Sequence, residues 1–254
     1  MDRAEYDKLD RVEERMWWFA ALHANLTLLC GRVACRSEGR TLLDAGCGTG
    51  GLLARLAALV PDWTAIGLDA DRFACERART KSGRPVCAGS VDALPFADGA
   101  FGAIVSADVL CHSGVDERMA LAQFHRCLGE NGILILNLPA YSWLMSAHDQ
   151  AVANVRRYSR GRIARLLEGA GFRLVFASYW NTILFPVMVV SRKLLPAGGG
   201  AASDVRLHPP PVEALCRAAT RLEHALLRRG ITLPFGGSVM AVAAKQAKQG
   251  EARA

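Results

Sequence analysis

Apolar residues near the amino terminus recur at helical spacing. Tyr6, Leu9, Val12, Met16, Trp17 and Phe19 fall on the repeat and acids are concentrated early, which predicts helix over residues 4–30. From residue 41 the pattern changes to short apolar runs alternating with helical stretches. The stretch from Thr41 to Gly51 reads as a strand running into a glycine turn. Leu52–Val60 then reads as a helix stopped by Pro61, Thr64–Leu68 as a strand, Asp71–Ser82 as a helix and Pro85–Ala88 as a strand. Farther on, Asp116–Leu128 predicts a helix, 129–132 a turn, Ile133–Leu138 a nearly all-apolar strand, Arg160–Ala170 a helix and Arg173–Trp180 a strand. Such alternation specifies a doubly wound, largely parallel α/β sheet.

Residues 181–236 interrupt the alternation. An apolar helix is expected around Ile183–Leu195, then a glycine- and proline-rich loop, then a helix Val212–Arg229. That helix sets Arg217, Arg221 and Arg228 near one side, opposite Leu215, Leu222 and Leu226. Ser238–Ala244 supplies a last strand, and 248–254 reads as a frayed tail.

Composition bounds the picture. A chain of 254 residues with 51% hydrophobic residues suits one large domain with additions. The eight cysteines show no C-x-x-C pair, which argues against a zinc knuckle or disulfide framework and suggests reduced thiols in a cytoplasm. The start, Met1-Asp-Arg-Ala-Glu-Tyr-Asp, is unlike a secretory leader. The longest uncharged apolar run, Thr182–Val190, is nine residues with Pro186 inside it, well short of the roughly 20 a spanning helix needs. The net charge of +7 is uneven: 15 Lys+Arg against 19 Asp+Glu in 1–150, 13 against 4 in 151–229, and 3 against 1 in 230–254. A basic carboxyl-terminal third fits an anionic substrate, a membrane surface or simply a solvated face. Nucleic acid is disfavoured, because the basic residues lack interleaved aromatics.

The candidate chemistry centres on Asp44-Ala-Gly-Cys-Gly-Thr-Gly-Gly51. Its glycines let the backbone bend sharply against a bound molecule. Gly46-x-Gly48-x-x-Gly51 fits a dinucleotide loop, while Asp44-x-Gly46-x-Gly48-x-Gly50 fits an S-adenosylmethionine loop. A dinucleotide places its pyrophosphate at a helix N-terminus, whereas the sulfonium amino acid offers an ammonium that wants a carboxylate nearby. Asp44 suits the second. Asp69, closing the next strand, can accept from both ribose hydroxyls of either ligand, and Asp71 reads as a helix cap.

Taken with Gly67-Leu-Asp69, the loop Gly89-Ser-Val-Asp92-Ala-Leu-Pro-Phe96 and the run from Phe101 to His112, this segment resembles the class I S-adenosylmethionine-dependent methyltransferases of small molecules. The resemblance implies a Rossmann-like, seven-stranded sheet with an antiparallel last strand. Residues 39–180 would be the cofactor-binding core, 1–38 an N-terminal helical cap, 181–236 a lid or dimer element and 237–247 the last core strand. It implies that Asp44, Gly46, Cys47, Gly48 and Gly50 hold the methionine end and that Asp69 with Ala70 holds the ribose. Ser90, Val91 and Asp92 would lie along the adenine, and Ser106 would face the sulfonium. Relatives often carry an acid where Ser90 stands and read Phe-Asp where this chain reads Phe101-Gly102.

A bacterial subgroup of that family pairs an N-terminal Trp-Trp-Phe, here Trp17-Trp18-Phe19, with a later His-Asp and Arg-Arg-Tyr, here His148-Asp149 and Arg156-Arg157-Tyr158. Trp17, Trp18, Tyr141, Arg156, Arg157 and Tyr158 are accordingly the expected substrate shell, with the arginines suited to an anionic acceptor. His148 is the expected base with Asp149 orienting it, and His112 is the second candidate. No metal is expected. The reading is methyl transfer to a small acceptor, oxygen or nitrogen favoured. An NAD-dependent oxidoreductase and a repurposed binder acting at a membrane surface through Thr182–Val190 stand as alternatives, and a homodimer is left open.

Overall fold

The computed structural model of the chain describes residues 3–34, 40–193 and 205–246. Cys35, most of the glycine-rich loop, the end of the helix expected to reach Leu195 and the tail after 247 lie outside the described residues. Two helices come first, α1 (Arg3–Val12) and α2 (Trp17–Ala34), where one was expected. The break at 13–16 has a tertiary cause: Glu13 leaves the helix surface to meet Thr49 and Lys81, deep in the core.

The sheet follows as β1 (Thr41–Ala45), β2 (Thr64–Asp69), β3 (Val86–Ala88), β4 (Phe101–Ala107), β5 (Leu128–Pro139), β6 (Phe172–Trp180) and β7 (Ser238–Lys245). Their order is β3-β2-β1-β4-β5-β7-β6, parallel except for β7, which runs antiparallel between β5 and β6. This is the doubly wound sheet expected from the alternation, with the seven strands and antiparallel last strand that the resemblance implies. β5 starts five residues earlier than its apolar run, because 128–132 continue the strand through an irregular register against Phe101–Ala103.

Side chains alternate across the pleat, so Leu42 and Leu43 enter opposite cores. On one face α2, α3 (Gly51–Leu59) and α4 (Arg72–Ser82) bring Leu26, Leu53, Leu56 and Ala78 onto Ile135 and Val242. On the other, α5 (Glu117–Cys127) and α7 (Arg160–Gly169) bring Phe124, Ile163 and Leu167 onto Ile104, Leu134 and Leu136. A short helix α6 (Ala147–Ala151) lies in the loop after β5. Caps match the sequence: Asp71 accepts from the N–H groups of Phe73 and Ala74, and Asp116 from those of Arg118 and Met119.

Between β6 and β7 come α8 (Phe185–Lys193) and α9 (Pro210–Arg228). α9 is not a free lid. It is bolted to α2: Glu213 accepts from the backbone N–H of Trp17 (2.9 Å), Arg32 donates to the carbonyls of Leu227 and Arg228, and His224 meets Asn25. Glu223, 1% exposed, accepts from the backbone N–H of Ile183 and so fastens the chain leaving β6. The polar residues Glu213, Thr220 and Glu223 face inward while Leu215 and Leu222 face water, which inverts the polarity the apolar repeat suggests.

Candidate active site

The sheet order reverses between β1 and β4, and a cavity of about 500 Å³ opens there at the carboxyl edge, where doubly wound sheets take their ligands. Its floor is the glycine turn. Gly46 and Gly50 stand at φ +85° and +89°, and a Cβ at Gly46 would run into Val109 while one at Gly50 would lie 2.6 Å from Ala78 Cα. The turn is also tied down by Gly46 and Cys47 donating to Leu68 O.

Three carboxylates crowd this floor. Asp69 Oδ2 accepts from Gly48 N (2.9 Å), and its Oδ1 accepts from both Asp71 N (3.0 Å) and the Tyr6 hydroxyl of α1 (3.2 Å). Glu13 takes hydrogen bonds from Thr49 Oγ1 (2.7 Å) and Lys81 Nζ (2.8 Å), and lies 3.6 Å from His23 Nε2. Asp44 is 1% exposed and its Oδ2 is buried without a partner. Burial, then the charges of Glu13 and Asp69, push its pKa up to about 8. Burial holds His23 neutral, with its pKa down to about 3. A buried carboxylate with an unused oxygen beside two further acids is a receptor for a cation. A pyrophosphate fits badly, because the Glu13 carboxyl already lies where a Cβ on Gly51, the first residue of α3, would project.

The far side of the cavity is lined from the ends of β4, β5, β6 and β7. Asp108 and Asn181, both at positive φ, follow β4 and β6 directly. Asn137 Nδ2 lies 3.1 Å from each oxygen of Asp108, and Asn137 Oδ1 in turn accepts from Trp180 Nε1 at 2.7 Å, so a buried chain of hydrogen bonds fixes the carboxyl. Burial raises the Asp108 pKa to about 7 against the opposing effect of those hydrogen bonds. Trp18, which packs on Trp180 at 5.8 Å, and Phe19 close the apolar wall.

Of the residues expected along the cofactor, Asp44, Gly46, Cys47, Gly48, Asp69, Ala70, Ser90 and Val91 line the cavity. Ser106 does not face it: its hydroxyl donates to Ala45 O and ties β4 to β1, leaving Ala107, Asp108 and Val109 on the cavity side. Asp92 turns instead to accept from Asp116 N. His112 and His148 both line the far side, and burial lowers the pKa of His112.

Asp149 is held chiefly by Arg157. Both its oxygens are engaged by Arg157 Nε and Nη2 (3.0 and 2.9 Å) and by Ser146, in a fully buried ion pair. Burial alone would raise the Asp149 pKa, and Arg157 reverses this and lowers it. Arg156 clamps the carbonyls of Leu110, His112 and Val115, and Tyr158 donates to Leu110 O while meeting Glu117, so both shape the loop after β4 from behind. Tyr141 stacks on Tyr179 and Trp143 outside the cavity, and Trp17, whose backbone N–H donates to Glu213 of α9, is not part of the cavity lining. Of the expected substrate shell, Trp18 and Arg157 reach the cavity wall. The sequence reading missed Tyr6, Glu13, Asp108 and Asn181. For Asp108 a signal existed, since it directly follows a strand at the carboxyl edge.

A family model described as a methyltransferase domain matches residues 43–136, from β1 through most of β5. The chain is 30% identical over 151 residues to the O-methyltransferase cnsE of Penicillium expansum, covering 55% of this chain and 54% of that protein. It is 28% identical over 220 residues to the malonyl-[acyl-carrier protein] O-methyltransferase of Geobacter sulfurreducens, covering 80% and 79%. The chain spans about half the length of the first curated relatives it matches. Among solved structures, geranyl diphosphate methyltransferase in complex with SAM superposes at TM-score 0.61 with 15% identity, covering 89% of this chain and 85% of that one. A SAM-dependent methyltransferase from Thermotoga maritima superposes at 0.57 with 20% identity, covering 96% and 95%. No name among these supports the oxidoreductase reading. Residues 43–136 thus match a methyltransferase domain, and the chain shares its fold with solved S-adenosylmethionine-dependent methyltransferases, with a glycine cradle and buried acids at the carboxyl edge of the sheet.

Proposed function

We propose that this chain methylates a small-molecule acceptor, at oxygen or nitrogen, within the cavity between Asp69 and Arg157. The observation that carries the reading is the partnerless Asp44 oxygen beneath a glycine cradle, beside Asp69 at the tip of the next strand. When bound, S-adenosylmethionine would supply an electrophilic methyl on a sulfonium. Asp44 would receive its ammonium, Asp69 its ribose hydroxyls in place of Tyr6, and Ser90 and Val91 its adenine. Trp18 and Phe19 exclude water from the opposite wall.

Acceptor deprotonation falls to the far side. His148 and His112 remain candidates as sequence suggested, and Asp108 joins them: a carboxyl held by Asn137 with a pKa near 7 is matched to taking a proton at neutral pH. Arg192 puts positive charge on the same wall, where the charge of Arg157 is balanced by Asp149, and this suits an acceptor with a carboxylate or phosphate. The O-methyltransferase names among the relatives favour oxygen.

Titration calorimetry with S-adenosylmethionine and with NAD, followed by transfer of a radiolabelled methyl to a panel of carboxylic acids, phenols and amines, tests the reading. Binding of the first ligand alone, lost in Asp69→Ala, and label transfer slowed in His148→Ala or Asp108→Asn with binding retained, are expected. Tight NAD binding without S-adenosylmethionine binding reverses it.

A further inference from the structure

Eight of the thirteen exposed large apolar side chains among the described residues fall in 181–236. The densest group surrounds α8, which has no buried residue although it opens Phe-Pro-Val-Met-Val-Val. Val187 and Val190, one turn apart, are 66% and 45% exposed, and Ile183 just before them is 45% exposed. Rings extend this surface: Phe185 lies 6.1 Å from Trp143 and 5.6 Å from Phe235, both of which are themselves exposed. In its last turn the exposed Lys193 follows Val190 by three residues and so shares this face. Glu213 and Glu223, the acids of the described insertion, are both turned inward, so the outer surface here is apolar and cationic. Met188 and Arg192, on the other side of the same helix, line the cavity.

We infer that the α8 face, with Trp143 and Phe235, docks on an anionic phospholipid surface. Apolar side chains beside a tryptophan and a lysine are the elements of an interfacial anchor: aliphatic groups enter the acyl boundary, the indole sits at headgroup depth, and the lysine meets the phosphates. A second copy of the chain is the weaker occupant, since pairing this face with itself brings the Lys193 side chains of both copies together without an acid of the described insertion to meet them. Docked, the bilayer lies against the outer side of the helix whose inner side walls the cavity.

The test needs no catalytic readout and so stands apart from the methyl-transfer reading. The purified full chain is floated with vesicles of phosphatidylglycerol and phosphatidylcholine in equal parts, and with pure phosphatidylcholine, at low and high salt. Flotation with the anionic vesicles alone, weakened by salt, is expected. The double variant Val187→Asp, Val190→Asp should lower partition about 100-fold, as expected from withdrawing two buried valines, with its circular dichroism and melting temperature unchanged because neither residue is buried. A Leu59→Asp variant, exposed elsewhere, should float as the parent does. No flotation with anionic vesicles at low salt, or equal flotation of the double variant, overturns the inference. So does a dimer seen by light scattering that the double variant abolishes while vesicles recruit nothing.

Discussion

Cofactor binding should expel a proton from Asp44. Its pKa moves from 3.8 to about 8 in the empty site, chiefly through burial. A shift of about 4 units corresponds to about 6 kcal/mol disfavouring the ionised form. At pH 7 the carboxyl is therefore mostly protonated. An ammonium placed on its partnerless oxygen favours the anion and draws the pKa down. Isothermal titration of S-adenosylmethionine in phosphate and in Tris at pH 7 reads the proton directly, since the apparent heats differ by the buffers' ionisation enthalpies times the number of protons released. Asp44→Asn should abolish that difference and weaken binding. Linkage fixes the sign for stability. A carboxyl whose folded pKa is raised contributes stability below its unfolded pKa that is lost as pH rises through the folded value, so the ligand-free parent should lose melting temperature between pH 4 and 8 and Asp44→Asn should flatten that fall. Identical heats in the two buffers, with binding intact, would refute the assignment of the ammonium to Asp44.

Arg157→Ala leaves the Asp149 carboxylate buried and unpaired, which should cost about 3–5 kcal/mol in urea unfolding. Because the Asp149 pKa is lowered, the parent's share of this stability is present above the ordinary carboxylate range and disappears on acidification. Gly50→Ala, forced to φ +89° against Ala78, should lose cofactor affinity together with at least about 1–3 kcal/mol of stability, whereas Gly83→Ala at φ +64° with open space around it should retain affinity. Asp108→Asn should keep cofactor affinity and remove the activity rise near pH 7, and an unchanged pH profile would exclude Asp108 as the proton acceptor.

The sheet was legible because each strand carries its burial in its own sequence: Thr41–Ala45 and Ile133–Leu138 are apolar runs that no helix of that length could bury on one side. The glycine turn and Asp69 were legible because backbone demands select residue types locally. What sequence hid is set by contacts between distant segments. The spacing of Tyr6, Leu9, Val12 and Met16 runs smoothly through the break that sends Glu13 to Lys81. The leucines of α9 promise an inward face, yet Glu213 and Glu223 take it, because the backbone N–H groups of Trp17 and Ile183 there need acceptors. His148 and Asp149 are neighbours in the chain, but the carboxylate answers to Arg157, eight residues on.

The hydroxyl of Tyr6 rests on the same Asp69 carboxylate that a ribose would claim. The amino-terminal helix thus gives Asp69 a hydroxyl from within the chain, and a nucleoside bound there would have to take that hydroxyl's place, which makes α1 a competitor for the carboxylate as well as a wall of the cavity.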